Sequence, residues 1–382
     1  MDMGSPTAAT RWRPYRAQEE HAAAVEAVRA VLTETELEAE RLRRLPERAV
    51  SALTAAGLFA VATPKEVGGW AADPLAELQV YEALARINTS AAWVVTTGSV
   101  YTSWAAAYLS DDAVAEVFGS GVPAVVAGQA PPKGRASAVP GGVRVSGSYT
   151  FGSGMSHATW VLGGFTLPDP DAGTWAFIVP KDRVRVLDNW HALGIAGSNS
   201  VDFAVNDLFV PDGHFFNTAK PVPLRGGPRF GVPIVVQVAA AHCGVALGAG
   251  QRALDEIIRR AAAKPDLAGR GAFQRDLGQV FTALSAARDH AARLLTELGE
   301  RLDFGSRLDR QFIQELIAAQ THATDTAVHA ATTAYRYAGA PAVRLDDPLQ
   351  RITRDLLVAG QHKFVADVSY DALGGTLVER DR

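Results

Sequence analysis

The chain has 382 residues, 48% of them hydrophobic and 20% charged, with a formal net charge of −4. That length buries a sizeable core in more than one structural unit, and the lack of a basic excess excludes nucleic acid as the main partner, because nothing is there to neutralise phosphates. The single cysteine, Cys243, excludes an internal disulfide and suits a reducing cytoplasm.

Residues 1–16 carry Arg and Pro without an apolar run, and read as a disordered leader rather than a signal peptide. Residues 19–45, rich in Ala, Glu and Arg, have helical spacing. A second helix over 50–58 stops at Gly57. The turn-rich stretch Pro64-Lys65-Glu66-Val67-Gly68-Gly69 follows. Two more helices occupy 75–86 and 91–109, the latter nearly all apolar and therefore buried. Asp111-Asp112 opens another, with acids at the positive end of its dipole.

Residues 121–211 then switch period. Val143, Val145, Tyr149 and Phe151 alternate with polar or small residues, as in a half-buried strand, after a turn at Pro140-Gly141-Gly142. Further strands are predicted at 160–162, 175–179, 203–205 and 208–211. A Pro- and Gly-rich loop spans 217–233. Four helical segments follow, at 234–263, 272–302, 308–339 and 347–374, with a polar break at 303–309. Within the third segment His322, Asp325 and His329 share a stripe. At about 1.5 Å rise per residue the two imidazoles lie roughly 10 Å apart, too far to share one ion, so no metal site is expected. Residues 232–250 are apolar enough to resemble a membrane span. Gln237 and His242 interrupt them, which favours a buried helix and no membrane association; Gly244, Gly248 and Gly250 suit close helix packing.

Several chemistries are missing. No Ser has Gly two residues before and two after, so there is no nucleophile elbow. There is no P-loop, and the glycines at 244–250 follow no strand, so they are not a dinucleotide fingerprint. No cysteine pair is available for zinc.

The order of elements and a set of short motifs resemble the acyl-CoA dehydrogenase fold over about residues 18–375. The motifs are Gly57-Leu58-Phe59 with the 64–69 turn, and residues 190–211 with Gly194, Gly197, Ser198, Ser200 and Phe209-Val210-Pro211. Arg270 with Phe273 matches an Arg-x-x-Phe element, and 348–351 with Arg354-Asp355 a last-helix signature. The resemblance implies a mainly α protein: a helical N-terminal domain (1–120), a central β-barrel-like domain (121–216) and a C-terminal four-helix bundle (217–382), usually assembled as a homotetramer.

Dehydrogenases of this fold take an α-proton with a carboxylate. Neither usual place has one here: the stretch at 361–363 is Gln-His-Lys, and no acid occurs between Gly213 and Asp255. The chain is more similar to the two-component flavin-dependent monooxygenase branch, through Arg351, Arg354-Asp355 and His362, and through 147–154 with His157 and Trp160. That resemblance implies reduced FMN or FAD, delivered by a separate NAD(P)H:flavin reductase. It also implies O2, a C4a-hydroperoxyflavin, and an aromatic or polycyclic small molecule as substrate. N-oxygenation of an amine or amino sugar, an acyl-CoA dehydrogenase with a relocated base, and a non-catalytic helical scaffold stay open.

By the same resemblance Ser153 bonds the flavin N5 and shares catalysis with His362 and His157. Trp190, Ser198, Ser200, Arg270 and Phe273 join Ser153 in holding the flavin, Arg270 through a phosphate across a subunit interface. Tyr101, His157 and His362 face the substrate. Tyr101 stands where many phenol hydroxylases of the branch carry a His, and Ala196 where many carry an Arg; both leave a simple phenol in doubt and make room for a larger substrate. Each of these side chains also has a plainer role in packing or turns.

Overall fold

The structure, a computed structural model, describes residues 19–379; the expected leader at 1–16 lies outside them. Six helices come first: α1 (Glu19–Glu34), α2 (Glu36–Leu42), α3 (Glu47–Ala55), α4 (Pro74–Ala85), α5 (Thr89–Tyr108) and α6 (Asp111–Phe118). The caps explain three of the starts. Asp73, Asn88 and Ser110 each accept a backbone N–H three residues on, which satisfies one of the orphan donors of a first turn. The single helix expected over 19–45 is two. Thr35 turns its hydroxyl onto the Val31 carbonyl at 2.6 Å, a local bond that competes with helix continuation.

Seven strands follow: β1 (Val126–Val139), β2 (Gly142–Gly152), β3 (Trp160–Thr166), β4 (Thr174–Pro180), β5 (Arg185–Val186), β6 (Val201–Pro211) and β7 (Phe215–Asn217). They form one sheet in the order β5-β6-β2-β1-β3-β4-β7, antiparallel except for β1 beside β3. Sequence reading misses β1 because Pro131-Pro132 and Gly134 interrupt it. The register shifts at Gln129/Pro132 and Pro132/Gly134 put those residues at irregularities, where a missing N–H is tolerated. The two strands expected at 203–205 and 208–211 are one, bent where Asp207 takes φ 49°.

The C-terminal helices are α7 (Ile234–Gln237), α8 (Ala239–Ala262), α9 (Pro265–Ala268), α10 (Gly271–Asp303), α11 (Arg310–Ala338), α12 (Pro348–Ala359) and α13 (Val368–Glu379). The core of α8, α10, α11 and α12 is rich in Ala and Leu. Gly248 lets α8 lie on α4, since a Cβ there would sit 2.2 Å from the Glu82 carbonyl oxygen. The helical stretch 234–262 is long and apolar enough to cross a membrane, yet 83% of its apolar window is buried inside the protein. The last helix is not continuous over 347–374. It ends at Ala359, and a tight turn over 363–365 separates α12 from α13. His362 is thus a cap residue in a strap, not a helix residue.

Candidate functional site

One wall of the site is made of hydroxyls. Trp93 on α5 donates its indole N–H to Ser153 Oγ at 3.0 Å. Ser153 Oγ lies 2.7 Å from Ser200 Oγ, and Ser200 Oγ 2.7 Å from Ser198 Oγ. All three serines are buried. Two turns bring them together. In the first, β2 ends through Phe151 at φ 62° and Gly154 at φ 77°; the Gly154 N–H then donates to the Ser198 carbonyl at 2.8 Å. In the second, Ile195 and Asn199 take φ 48° and 49°. A positive φ at a β-branched residue is strained, on the order of 1–3 kcal/mol, and persists only where the surroundings enforce it. They do so here. Asp355 accepts the Ile195 N–H at 2.5 Å, Asn199 Oδ1 accepts the Ser156 N–H at 2.9 Å, and Trp190 Nε1 donates to the Ala196 carbonyl at 3.1 Å.

The facing wall is made of rings. His362 meets Trp93 edge-on at 5.9 Å and Phe364 at 5.3 Å. His242 on α8 lies 4.4 Å from His362 and 6.0 Å from Trp93, centre to centre. Burial lowers both imidazoles, His362 to about 4 with help from the Lys363 charge, and His242 well below its ordinary value with help from His362. Both rings are therefore neutral at pH 7. The Phe364 N–H donates to His362 Nδ1 at 3.3 Å, which puts the ring proton on Nε2. Among the described residues neither nitrogen of His242 has a hydrogen-bond partner, and no carboxylate pairs with either histidine. Asp355, seven residues before His362, is turned onto Ile195.

His157 sits in the short turn Met155–His157 beside the serines. Burial, with the Lys181 and Arg44 charges, lowers it to about 4, and its Nε2 is buried with no partner among the described residues. Tyr101, one helical face along from Trp93, packs on the same cluster as Phe364. Burial raises its hydroxyl to about 12, so it stays protonated. Trp190 meets the exposed Phe151 edge-on at 6.4 Å, an aromatic rim outside the serines. Trp160 lies in the core, stacked on His214. Arg270 and Phe273 do not join the cluster: Arg270 caps α10, and Phe273 is buried against Tyr337 in the bundle.

Trp93 and His242 are the two members that sequence reading does not single out. The only signal was a histidine, and a tryptophan, set in otherwise apolar helices. Asp325 of the histidine stripe receives the Tyr370 hydroxyl at 2.9 Å. A cavity of about 510 Å³ lies elsewhere, between 228–233 and 302–313, with Arg307 as its one charged lining residue; it has no acid–base group to offer.

Residues 18–118 match the family described as "Acyl-CoA dehydrogenase, N-terminal domain", and residues 240–367 match "Acyl-CoA dehydrogenase, C-terminal domain". The chain belongs to the acyl-CoA dehydrogenase family. Its relatives within that family include a pigment production hydroxylase from Rhodococcus sp., 29% identical over 347 residues, which are 86% of this chain and 88% of the relative. The oxygenase subunit HsaA of a flavin-dependent monooxygenase from Rhodococcus jostii is 27% identical over 355 residues, 87% of this chain and 91% of the relative. The solved structure of XiaF from Streptomyces sp., in complex with FADH2 and glycerol, superposes with a TM-score of 0.86 at 26% identity, over 94% of this chain and 96% of that one. Both acyl-CoA dehydrogenase domains thus contribute to the cleft: α5 comes from the first, α8 and the 360–365 strap from the second.

Proposed function

We propose that the chain is the oxygenase component of a two-component monooxygenase. It takes reduced FMN or FAD from a separate NAD(P)H:flavin reductase and uses O2 to hydroxylate an aromatic or polycyclic small molecule. The observation that carries this reading is the pair of neutral, carboxylate-free imidazoles opposite a buried hydroxyl chain. A desaturase acting on an acyl thioester needs a carboxylate there to remove the α-proton, and none faces this cleft among the described residues. The relatives named as a hydroxylase and as a monooxygenase subunit support the same choice.

The residues present fit a flavin. Three serine hydroxyls and the orphaned His157 Nε2 are polar groups that a ligand would complete, and Phe151 with Trp190 offers an aromatic edge. When bound, the reduced flavin would supply the electrons that activate O2. Trp93 donates to Ser153 Oγ, which leaves that hydroxyl's own proton free for Ser200 or for a ring nitrogen. His362 presents an Nε2–H donor, because its Nδ1 is engaged by Phe364; its role is to steady developing negative charge rather than to take a proton. His242 has a free acceptor nitrogen, which burial keeps unprotonated, so its role is to accept a hydrogen bond from a substrate hydroxyl and orient it. Phe364, Tyr101 and Trp93 keep water away from both.

Exposed apolar side chains on and beside the last two helices, among them Val343, Leu345, Val368 and Val378, support assembly into a homotetramer; the single, buried Cys243 supports a cytoplasmic setting. Purified chain, chemically reduced FMN or FAD, O2 and panels of phenols, amines and acyl-CoAs test the reading. Hydroxylated aromatic product is expected, and native mass spectrometry should show four subunits. Reduction of the flavin by an acyl-CoA, with no oxygenated product from any panel, would overturn it. His362→Ala should lower the ratio of product to H2O2 with little loss of flavin affinity.

A further inference from the structure

Asp355 stands just outside the cleft, at the junction of α12 with the turn that carries Ser198 and Ser200. Its carboxyl is 4% exposed and accepts the N–H of Ile195 at 2.5 Å. The residues on either side of that bond are fastened as well. Arg354 donates to the Leu193 carbonyl at 2.5 Å, and a Cβ on Gly194 would lie 2.2 Å from the Arg354 carbonyl oxygen. Ile195 itself is buried and held at φ 48°. Three consecutive residues of the turn are thus pressed onto one turn of helix, and the strained backbone occurs at the residue the carboxyl holds. Beyond Ile195 the chain supplies the Ala196 carbonyl to Trp190 and then the two serines. Beyond Asp355, α12 runs out into the strap that carries His362. One side chain therefore sets the spacing of the two walls.

We propose that Asp355 is a positioning residue: by clamping the Ile195 N–H it holds the 195–200 turn in the strained form that presents Ser198 and Ser200 to the flavin. This rests on the flavin reading above. A carboxylate costs more to bury than an amide, so the charge is kept for its strength as an acceptor. The charged groups around it are Glu36 and Glu40 on α2, Arg252 on α8, and Arg351 and Arg354 on its own helix. Burial first, then Glu36 and Glu40, raises the Asp355 carboxyl to about 7 against the Ile195 N–H and Arg354. Acidification through neutrality therefore weakens the clamp. Its effect on global stability has the opposite sign: a raised carboxyl pKa favours the folded state below the unfolded value near 3.9, and that advantage is lost as pH rises through 7.

That opposition gives the test. Asp355→Asn keeps the shape and an acceptor oxygen but removes the charge. In the flavin-free protein, hydrogen exchange at 193–200 should speed up about tenfold while the melting temperature holds or rises; affinity for reduced FMN or FAD should fall about tenfold. Flavin affinity of the natural chain should step down on acidification with a midpoint near 7, and the step should vanish in Asp355→Asn. Adding Ile195→Gly, which tolerates a positive φ without strain, should recover part of the lost affinity. Unchanged exchange at 193–200 in Asp355→Asn, or a fall in melting temperature with no change in exchange or affinity, would overturn the proposal. If the natural chain binds no reduced flavin, the functional reading fails instead, and the exchange arm still decides the clamp.

Discussion

Two buried polar regions of this molecule are built on opposite rules. The first is the seam between α2, α8 and α12. Glu36 accepts from Arg252 at 2.5 and 2.8 Å and from Arg351 at 2.8 Å; Glu40 accepts from Arg351 at 3.1 Å and from Arg354 at 2.5 Å. Burial pushes the Glu36 carboxyl up, but the two guanidiniums more than offset it and hold it below the usual carboxylate range. The second is the cleft of Trp93, His242, His362 and Phe364, where titratable rings are largely withdrawn from water with no counter-charge and stay neutral. The first arrangement ties helices together and leaves no group free to react. The second leaves a donor on His362 and an acceptor on His242, which costs stability and supplies chemistry. Burial alone does not mark a functional group; burial without a partner does.

The contrast breaks down if the seam proves dispensable. Arg351→Met strips Glu36 and Glu40 of a shared partner and should cost about 3–5 kcal/mol in urea denaturation; a loss under about 1 kcal/mol would mean that the seam does not hold the helices. The cleft has a pH signature of its own. The unfolded chain takes a proton on His362 near 6.5, the folded chain only near 4. Stability is therefore full above 6.5 and falls as pH drops toward 4, by about 3 kcal/mol from this ring. A urea midpoint series should show the fall, and His362→Leu should flatten it.

Smaller effects sharpen the comparison at the hydroxyl wall. Gly194→Ala drives a methyl toward the Arg354 carbonyl, so the turn must move. A cost of about 1–3 kcal/mol is expected, seen as weaker flavin binding rather than as bundle unfolding. Trp93→Phe keeps a ring beside His362 but deletes the donor to Ser153. The loss should be about 1 kcal/mol, roughly fivefold in flavin affinity, with more of the O2 consumed appearing as H2O2.

The helix–sheet–helix order was legible because it is written in period: 3.6 in the outer blocks, 2 in the middle. Ser153, Ser198, Ser200 and His362 were singled out through motif resemblance, and the structure places all four around Trp93. The strand β1 was hidden by its prolines, and the break after Ala359 by the helical composition on both sides of it. Phe273 packs against Tyr337 within the chain; an aromatic spaced for a motif is also spaced for a core.

By itself, then, the sequence determined the helix–sheet–helix order, and that no acid occupies the usual base positions; these follow from local periodicity and composition. Only the tertiary structure decided that His242 faces His362, that Trp93 donates to Ser153, and that Asp355 holds Ile195. Each of those contacts joins elements far apart in the chain, and each depends on desolvation and close approach, which arise only once the helices and the sheet have packed.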